Sequence, residues 1–329
     1  MNNISYSNMY DMLKDCIYEV QANAKNTDMP GISSGFSTLD ELTCGFEHGK
    51  VYIVGARPAI GKEAFMLSMI RNITVESKVP VLLFSTNHMK ADYINNLLSI
   101  HCDIPTSQLH KGELKAQEWD RLDHEVTSLL QAQLYIHDSS DLPLVELVET
   151  VHHCIAEKGI KIIFIDCLQM IDLADTDRSP SERVAKVMST LKQLAYETNL
   201  PVVVGAMLNR SIEYREGIEW KLPQMGDLAH SCFIEELADV VMMVHRPEYY
   251  MIIQDEHGRD LHGLMEIIVK KNALRPLGIV FLDYQQETGR LSLSEYATKK
   301  SPKRVPLKDF QTSNVAVKKL IDTFDLEDA

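Results

Sequence analysis

From residue 37 to about 206 the chain alternates between short apolar runs and longer stretches whose apolar residues recur every three or four positions. The apolar runs, at about 50–55, 81–85, 133–136, 160–166 and 201–206, predict buried strands. The stretches between them, near 63–77, 90–101, 115–130, 143–158 and 181–198, predict helices. Strand and helix in strict alternation imply an α/β fold, with a mainly parallel sheet and helices on both faces. After residue 238 the rhythm changes: DVVMMVHR, GLMEIIVKK and LGIVFLDY are strand-like runs joined by short or polar turns, as in an antiparallel extension. Upstream, Tyr6, Met9, Met12, Leu13, Cys16, Ile17 and Val20 place one apolar stripe on a helix over 4–25, followed by a loop with Pro30, Gly31 and Gly35. The expected organisation is therefore helix and loop at 1–30, a single α/β domain at 31–296, and a tail at 297–329. That tail opens with basic TKKSPKR and closes with acidic DTFDLEDA; its residues 314–324 have the pattern of a short helix.

Composition changes this picture little. The 329 residues are 45% hydrophobic and 24% charged, ordinary for a globular chain. No run reaches the roughly 18 uncharged apolar residues of a membrane helix, and MNNISYSNMYDMLKDC lacks the apolar centre of a signal peptide. No membrane partner is expected, and the cytoplasm is the expected compartment. Six cysteines stand apart with no C-x-x-C pair, several in apolar runs, which predicts buried free thiols. His152, His153 and Cys154 are adjacent on a predicted helix and so point in different directions, which argues against a metal site there. The net charge of −14 opposes general attraction to nucleic acid but leaves room for a local basic channel.

Two motifs carry candidate chemistry. GARPAIGKEAF, at 55–65, follows an apolar strand and opens a helix. The backbone N–H groups of such a turn can cradle phosphate oxygens, with Lys62 pairing their charge and Arg57, Pro58 and Gly61 shaping the loop. A strand–turn–helix that needs Gly61 only for its backbone angles has the same spacing, and on spacing alone both readings stand. KIIFIDCLQM, at 161–170, ends a strand in Asp166, at the edge where a carboxylate can help hold a metal through water; an Asp capping the next turn looks the same. Together the two fit a P-loop nucleotide-binding core of the RecA type.

The segment GISSGFSTLDELTCGFEHGKVYIVGARPAIGK resembles the opening of the motor domain of replicative hexameric DNA helicases of the DnaB type. There, Gly-x-x-x-Gly-Phe, Leu-Asp and a Gly precede Ala-Arg-Pro-x-Met-Gly-Lys-Thr. FSTNHMKADYINNLLS is similar to the family's Phe-Ser-Leu-Glu-Met-Ser segment, and IFIDCLQM to Ile-Asp-Tyr-Leu-Gln, with Gln169 on its Gln. VVVGAMLNRSIEYR and DLAHSCFIEELADVVMMVHRPEYY follow in family order, and the likeness runs from about Gly31 to Leu293. The resemblance implies a RecA-like ATPase domain, ATP or ADP as nucleotide and a role in DNA replication. It further implies that the family's N-terminal, primase-directed domain is missing and that 4–25 is its linker helix. That helix would dock on a neighbouring subunit, either another copy or an active DnaB-type helicase.

The departures fall on the chemistry. Where the family holds Mg²⁺ with a hydroxyl stands Glu63; its catalytic Glu is replaced by Asn87, which cannot take a proton from water. Its γ-phosphate-sensing Gln is replaced by Met207, and its arginine finger by Ala273. Lys271 keeps its place, while Arg275 is displaced by two and is expected to point elsewhere. The turn that grips single-stranded DNA is here Ala229, His230, Ser231 and Cys232, with Arg210 on the preceding loop and Leu222 replacing a nearby Arg, so the grip on DNA is weakened. A carboxylate about 4 Å from a phosphate oxygen is repelled by roughly 4 kcal/mol at an effective dielectric near 20. An arginine finger alone is worth about 10³–10⁵ in rate. These losses predict a pseudo-ATPase; an active 5′→3′ helicase and a nucleotide sensor without hydrolysis are the alternatives. Nucleotide sites are then Arg57, Pro58, Gly61, Lys62, Glu63, Asp166, Gln169 and Lys271, with Asp166 the one residual metal ligand and Mg²⁺ poorly provided for.

Overall fold

The computed structural model describes residues 8, 9, 13, 29–86, 89–173, 179–217, 221–273 and 275–296. The predicted helix at 4–25, apart from Asn8, Met9 and Leu13, the tail from 297 and Asn87 lie outside these residues. Two compact units emerge, Met1–Ser294 and Glu295–Ala329; the second is described only at Glu295 and Tyr296.

A nine-stranded sheet organises the first unit. Its strands are β1 (Val51–Ala56), β2 (Val81–Ser85), β3 (Leu134–Asp138), β5 (Ile162–Asp166), β7 (Val202–Met207), β8 (Val240–His245), β9 (Leu264–Asn272), β10 (Gly278–Tyr284) and β11 (Leu291–Leu293). The short β4 (Leu142–Pro143) and β6 (Ile171–Asp172) pair separately. Across the main sheet the order is β11-β10-β9-β8-β1-β7-β5-β2-β3. The strands from β8 to β3 run parallel, as the strand–helix alternation predicts. One correction concerns DVVMMVHR, which the sequence pattern groups with the antiparallel extension. As β8 it lies parallel to β1, and the antiparallel set begins only at β9. An apolar run of six specifies a buried strand but carries no direction; direction came from the crossover that precedes it.

Period-two alternation divides each central strand between two cores. Val51, Ile53, Ile163, Ile165, Val202 and Val204 face one, while Tyr52, Val54, Ile162, Phe164 and Val203 face the other. The first core is roofed by α6 (Leu144–Lys158) and α7 (Pro180–Thr198). In α7, Ser179 and Glu182 form a reciprocal cap, Pro180 takes the first turn, and Val184, Val187, Met188, Leu191 and Leu194 bury one stripe. Each such side chain contributes about 1.5–3 kcal/mol on burial. The second core is roofed by α2 (Lys62–Arg71), whose residues Phe65–Ile70 are all buried. Beyond Arg71 it widens into a π turn, Asn72–Glu76. Three short helices escaped the pattern: α1 (Ser37–Thr43), α4 (Thr106–Lys111) and α8 (Ser231–Leu237). The remaining two, α3 (Lys90–Cys102) and α5 (Ala116–Leu130), stand where the apolar spacing puts them.

Candidate functional site

At the carboxyl edge of the sheet β1, β7 and β5 are neighbours, and their ends bring the two sequence motifs together. Register pairs Ala56 with Met207 and Asp166 with Gly205. The loop after β1 turns through Ala59 (φ 63°) and Gly61 (φ 111°) into α2, whose start has no side-chain cap. Its first N–H groups are therefore open to an anion. Thr86 fixes Asp166 from behind: its Oγ1 and N–H both donate to the Asp166 carbonyl, at 2.8 and 2.9 Å, and its Oγ1 accepts from the Cys167 N–H at 2.8 Å.

The lysine of the loop does not face open space. Lys62 Nζ makes an ion pair with Asp166 Oδ1, and the other carboxylate oxygen accepts from the Tyr93 hydroxyl at 3.0 Å. The pair is enclosed, with Lys62 15% and Asp166 4% exposed. Gly205 makes this approach feasible: a Cβ there would fall 2.7 Å from Asp166 Oδ1 and 3.0 Å from Lys62 Nζ. Burial, reinforced by the charges of Asp166 and Glu63, pushes the Tyr93 phenol far above its ordinary value, so it stays a donor. Glu63 Oε1 accepts from Asn96 Nδ2 at 2.8 Å, which ties the first turn of α2 to α3.

These groups line a cavity of about 470 Å³. Arg57, Pro58, Gly61, Lys62, Glu63, Asp166 and Met207 all border it. Arg57, however, is turned aside: its guanidinium pairs with Glu213 at 2.7 Å and donates to the Leu208 carbonyl at 2.8 Å. Gln169 stands behind Met207, its Oε1 accepting from the Met207 N–H at 3.1 Å while its buried Nε2 has no hydrogen-bond partner among the described residues. One further part of the lining was missed in the sequence. It is the β10–β11 connection, with Tyr284, Gln286, Thr288 and Gly289. The Arg246 guanidinium lies 4.5 Å from the Tyr284 ring centroid, and burial raises the phenol's pKa. A ring held this way is a surface on which a flat ligand can stack. Its only sequence signal was the aromatic residue ending a late strand.

The remaining candidates lie elsewhere. Lys271 Nζ donates to the carbonyls of Glu235 and Glu236, at 2.6 and 3.2 Å, near the end of α8. Ala273 is exposed at φ 38° and donates its N–H to the Asp239 carbonyl. Arg275 does point elsewhere, as a bidentate partner of Glu47 at 2.9 Å and a donor to the Thr43 carbonyl at 2.6 Å. Arg210 is exposed, Ala229 is half-buried, and His230 adopts a left-handed turn before Ser231 opens α8. Leu222 packs against the first core. His152 and His153 are exposed, and Cys232 is exposed rather than buried.

A metal finds little here. Asp166 has committed both oxygens and Glu63 is bound to Asn96. Among the described residues no group of three His, Cys, Asp or Glu side chains is placed to hold an ion. The residues present do not fit Mg²⁺ as arranged. No helix among the described residues is long and apolar enough to cross a membrane.

Comparison with known proteins places this geometry. The chain is 29% identical over 288 residues to the replicative DNA helicase DnaC of Bacillus subtilis, covering 87% of this chain and 62% of that protein. It is 32% identical over 270 residues to the replicative DNA helicase DnaB of Leifsonia xyli, covering 82% and 57%. It thus spans about three fifths of the length of the curated relatives it matches. Among solved structures, one described as an ATPase domain superposes with a TM-score of 0.79 at 23% identity, covering 88% of this chain and all of that one. A DnaB-like replicative helicase, described with its interactions with primase, gives 0.76 at 24% identity over 84% of this chain and 66% of that one. The fold is thus RecA-like, and the DnaB-like helicase C-terminal domain model matches residues 31–292. The chain belongs to the DnaB-like helicase C-terminal domain family.

Proposed function

We propose that this chain is a pseudo-ATPase of its family, acting in DNA replication by associating with helicase subunits through segment 4–25 rather than by hydrolysing ATP. The neighbour is another copy or an active DnaB-type helicase. One observation carries most weight: the loop lysine is engaged by Asp166, while the residue after it is a carboxylate held by Asn96. A triphosphate entering this loop must draw Lys62 off Asp166 and meets Glu63 where a metal's hydroxyl ligand belongs. Single-stranded DNA is a weak partner on this reading, because the turn at Ala229, His230 and Ser231 carries no permanent positive charge.

The test is phosphate release with single-stranded DNA, on the native chain and on the fourfold variant Glu63→Thr, Asn87→Glu, Met207→Gln, Ala273→Arg. The native chain is expected to match a Lys62→Ala control, and the fourfold variant to exceed both. Native turnover well above that control refutes the reading. Association is tested separately, by co-elution with a DnaB-type helicase and by self-association across concentration.

A second reading, nucleotide sensing without hydrolysis, is favoured by the Tyr284 ring, which lies beside Gly61 of the phosphate loop on the wall of the cavity of about 470 Å³. Calorimetry with ADP and ATP, with and without Mg²⁺, on the native chain and Glu63→Thr, separates it from an empty pocket.

A further inference from the structure

A second cavity lies beside the first, on the far side of Ile100, which lines both. Its volume is about 110 Å³. At about 30 Å³ per water it has room for roughly three or four waters, so a nucleoside does not fit. Its polar wall consists of Ser68, Arg71, Asn72, His101, Arg290 and Ser292. Two guanidinium groups therefore border a space that no carboxylate among the described residues lines.

The bonding of these residues leaves donors to spare. Ser68 is 3% exposed and among the described residues its Oγ has no hydrogen-bond partner, a deficit that a buried hydroxyl does not carry without cost. Arg71 donates Nε to His101 Nδ1 at 3.0 Å and Nη1 to Asn72 Oδ1 at 3.1 Å; Nη1 also pairs with Glu76 at 2.8 Å. Its Nη2 has no protein partner among the described residues. Within the same set, Arg290 pairs only through Nη1, with Asp103 at 3.2 Å. Both carboxylates stand outside the lining, and Glu76 is 60% exposed. Such pairs contribute about 0–1 kcal/mol and yield readily to a better-placed anion. His101 Nε2 is engaged by Ser128 at 2.7 Å and Glu125 at 3.4 Å, so the ring braces Arg71 and is not itself the anion's donor. The cavity opens where α2 passes into its π turn at Asn72, a local widening of the kind often found at functional sites.

We propose that the cavity between Ser68, Arg71 and Arg290 is a binding site for a free tetrahedral oxyanion, with inorganic phosphate as the ligand whose size and charge it matches. Planar guanidinium forks take such an anion in bidentate fashion, and the Ser68 hydroxyl supplies a third, buried donor.

The probe is inorganic phosphate, titrated at constant ionic strength in metal-free buffer and followed by phosphorus NMR line broadening, with sulfate as competitor. Saturable broadening that sulfate reverses is expected for the native chain. Arg290→Gln, at a half-exposed side chain, is expected to weaken it by about tenfold or more, the loss of one charge-assisted contact. Ser68→Val, which fills the cavity with methyl groups, should abolish it. Lys62→Ala should leave it in place, because that lysine lines only the larger cavity. No broadening, or broadening lost in Lys62→Ala and kept in Arg290→Gln and Ser68→Val, overturns the proposal. So does broadening indifferent to all three changes.

Discussion

Replacing Lys62 by Ala in an ordinary phosphate loop removes a ligand contact and leaves the empty protein nearly as stable as before. Here it should unseat a buried ion pair. Asp166 is 3% exposed and, among the described residues, would keep the Tyr93 hydroxyl as its remaining side-chain donor. Removing one member of a buried pair typically costs 3–5 kcal/mol, because the survivor stays charged and unsolvated. The Tyr93 bond and the 15% exposure of Lys62 soften this, so about 2–4 kcal/mol is expected. At about 2 °C per kcal/mol for a domain of this size, the melting temperature should fall by roughly 4–8 °C. Urea denaturation of the native chain, Lys62→Ala, Asp166→Asn and the double variant closes a thermodynamic cycle. The double variant should recover part of the loss, with a coupling energy of about 1–3 kcal/mol. That coupling measures the hold that a phosphate must overcome to capture the lysine. A coupling near zero, with Lys62→Ala as stable as the native chain, refutes both the pair and the obstacle it presents to nucleotide.

Three further outcomes follow from the same structure. Gly205→Ala drives a methyl against Asp166 and Lys62 and should cost about 1–3 kcal/mol. The cost should shrink in a Lys62→Ala background; equal costs in both would show that the methyl meets something else. Arg275→Ala loses the bidentate Glu47 contact and the bond to the Thr43 carbonyl, about 1–2 kcal/mol at these part-exposed groups. It should lower the stability of the isolated chain without altering association, whereas a changed assembly would place this arginine at a subunit boundary. Burial holds the His245 imidazole down at about 4, below its ordinary value near 6.5, so its folded form is neutral. The unfolded chain then binds the extra proton, and stability present above pH 6.5 is lost as pH falls towards 4. Between pH 7.5 and pH 5 this amounts to about 2 kcal/mol. Urea midpoints for the native chain should fall more than those for His245→Phe over that interval; parallel falls would refute the assignment.

The apolar rhythm determined much on its own. Five runs of β-branched and apolar residues became five of the six parallel strands, the sixth being β8, whose direction the pattern misassigned, and α7 ran from its Ser179 cap to Asn199 because cap, proline and stripe agree locally. The family was equally legible, through the likeness of GARPAIGK and its flanking segments to the DnaB-type motor domain rather than through spacing alone. Asp166 and Lys62, 104 positions apart, became partners only through the strand order β1-β7-β5, which no periodicity encodes. Register decided that Gly205, one more small residue in an apolar run, would be the gap through which they meet. The wall at Tyr284, the retreat of Arg57 onto Glu213 and the small cavity at Ser68 likewise join segments remote in the chain. Local pattern reports which face of an element is buried. What it is buried against, and which charge meets which, depends on long-range packing, and that belongs to the tertiary structure alone.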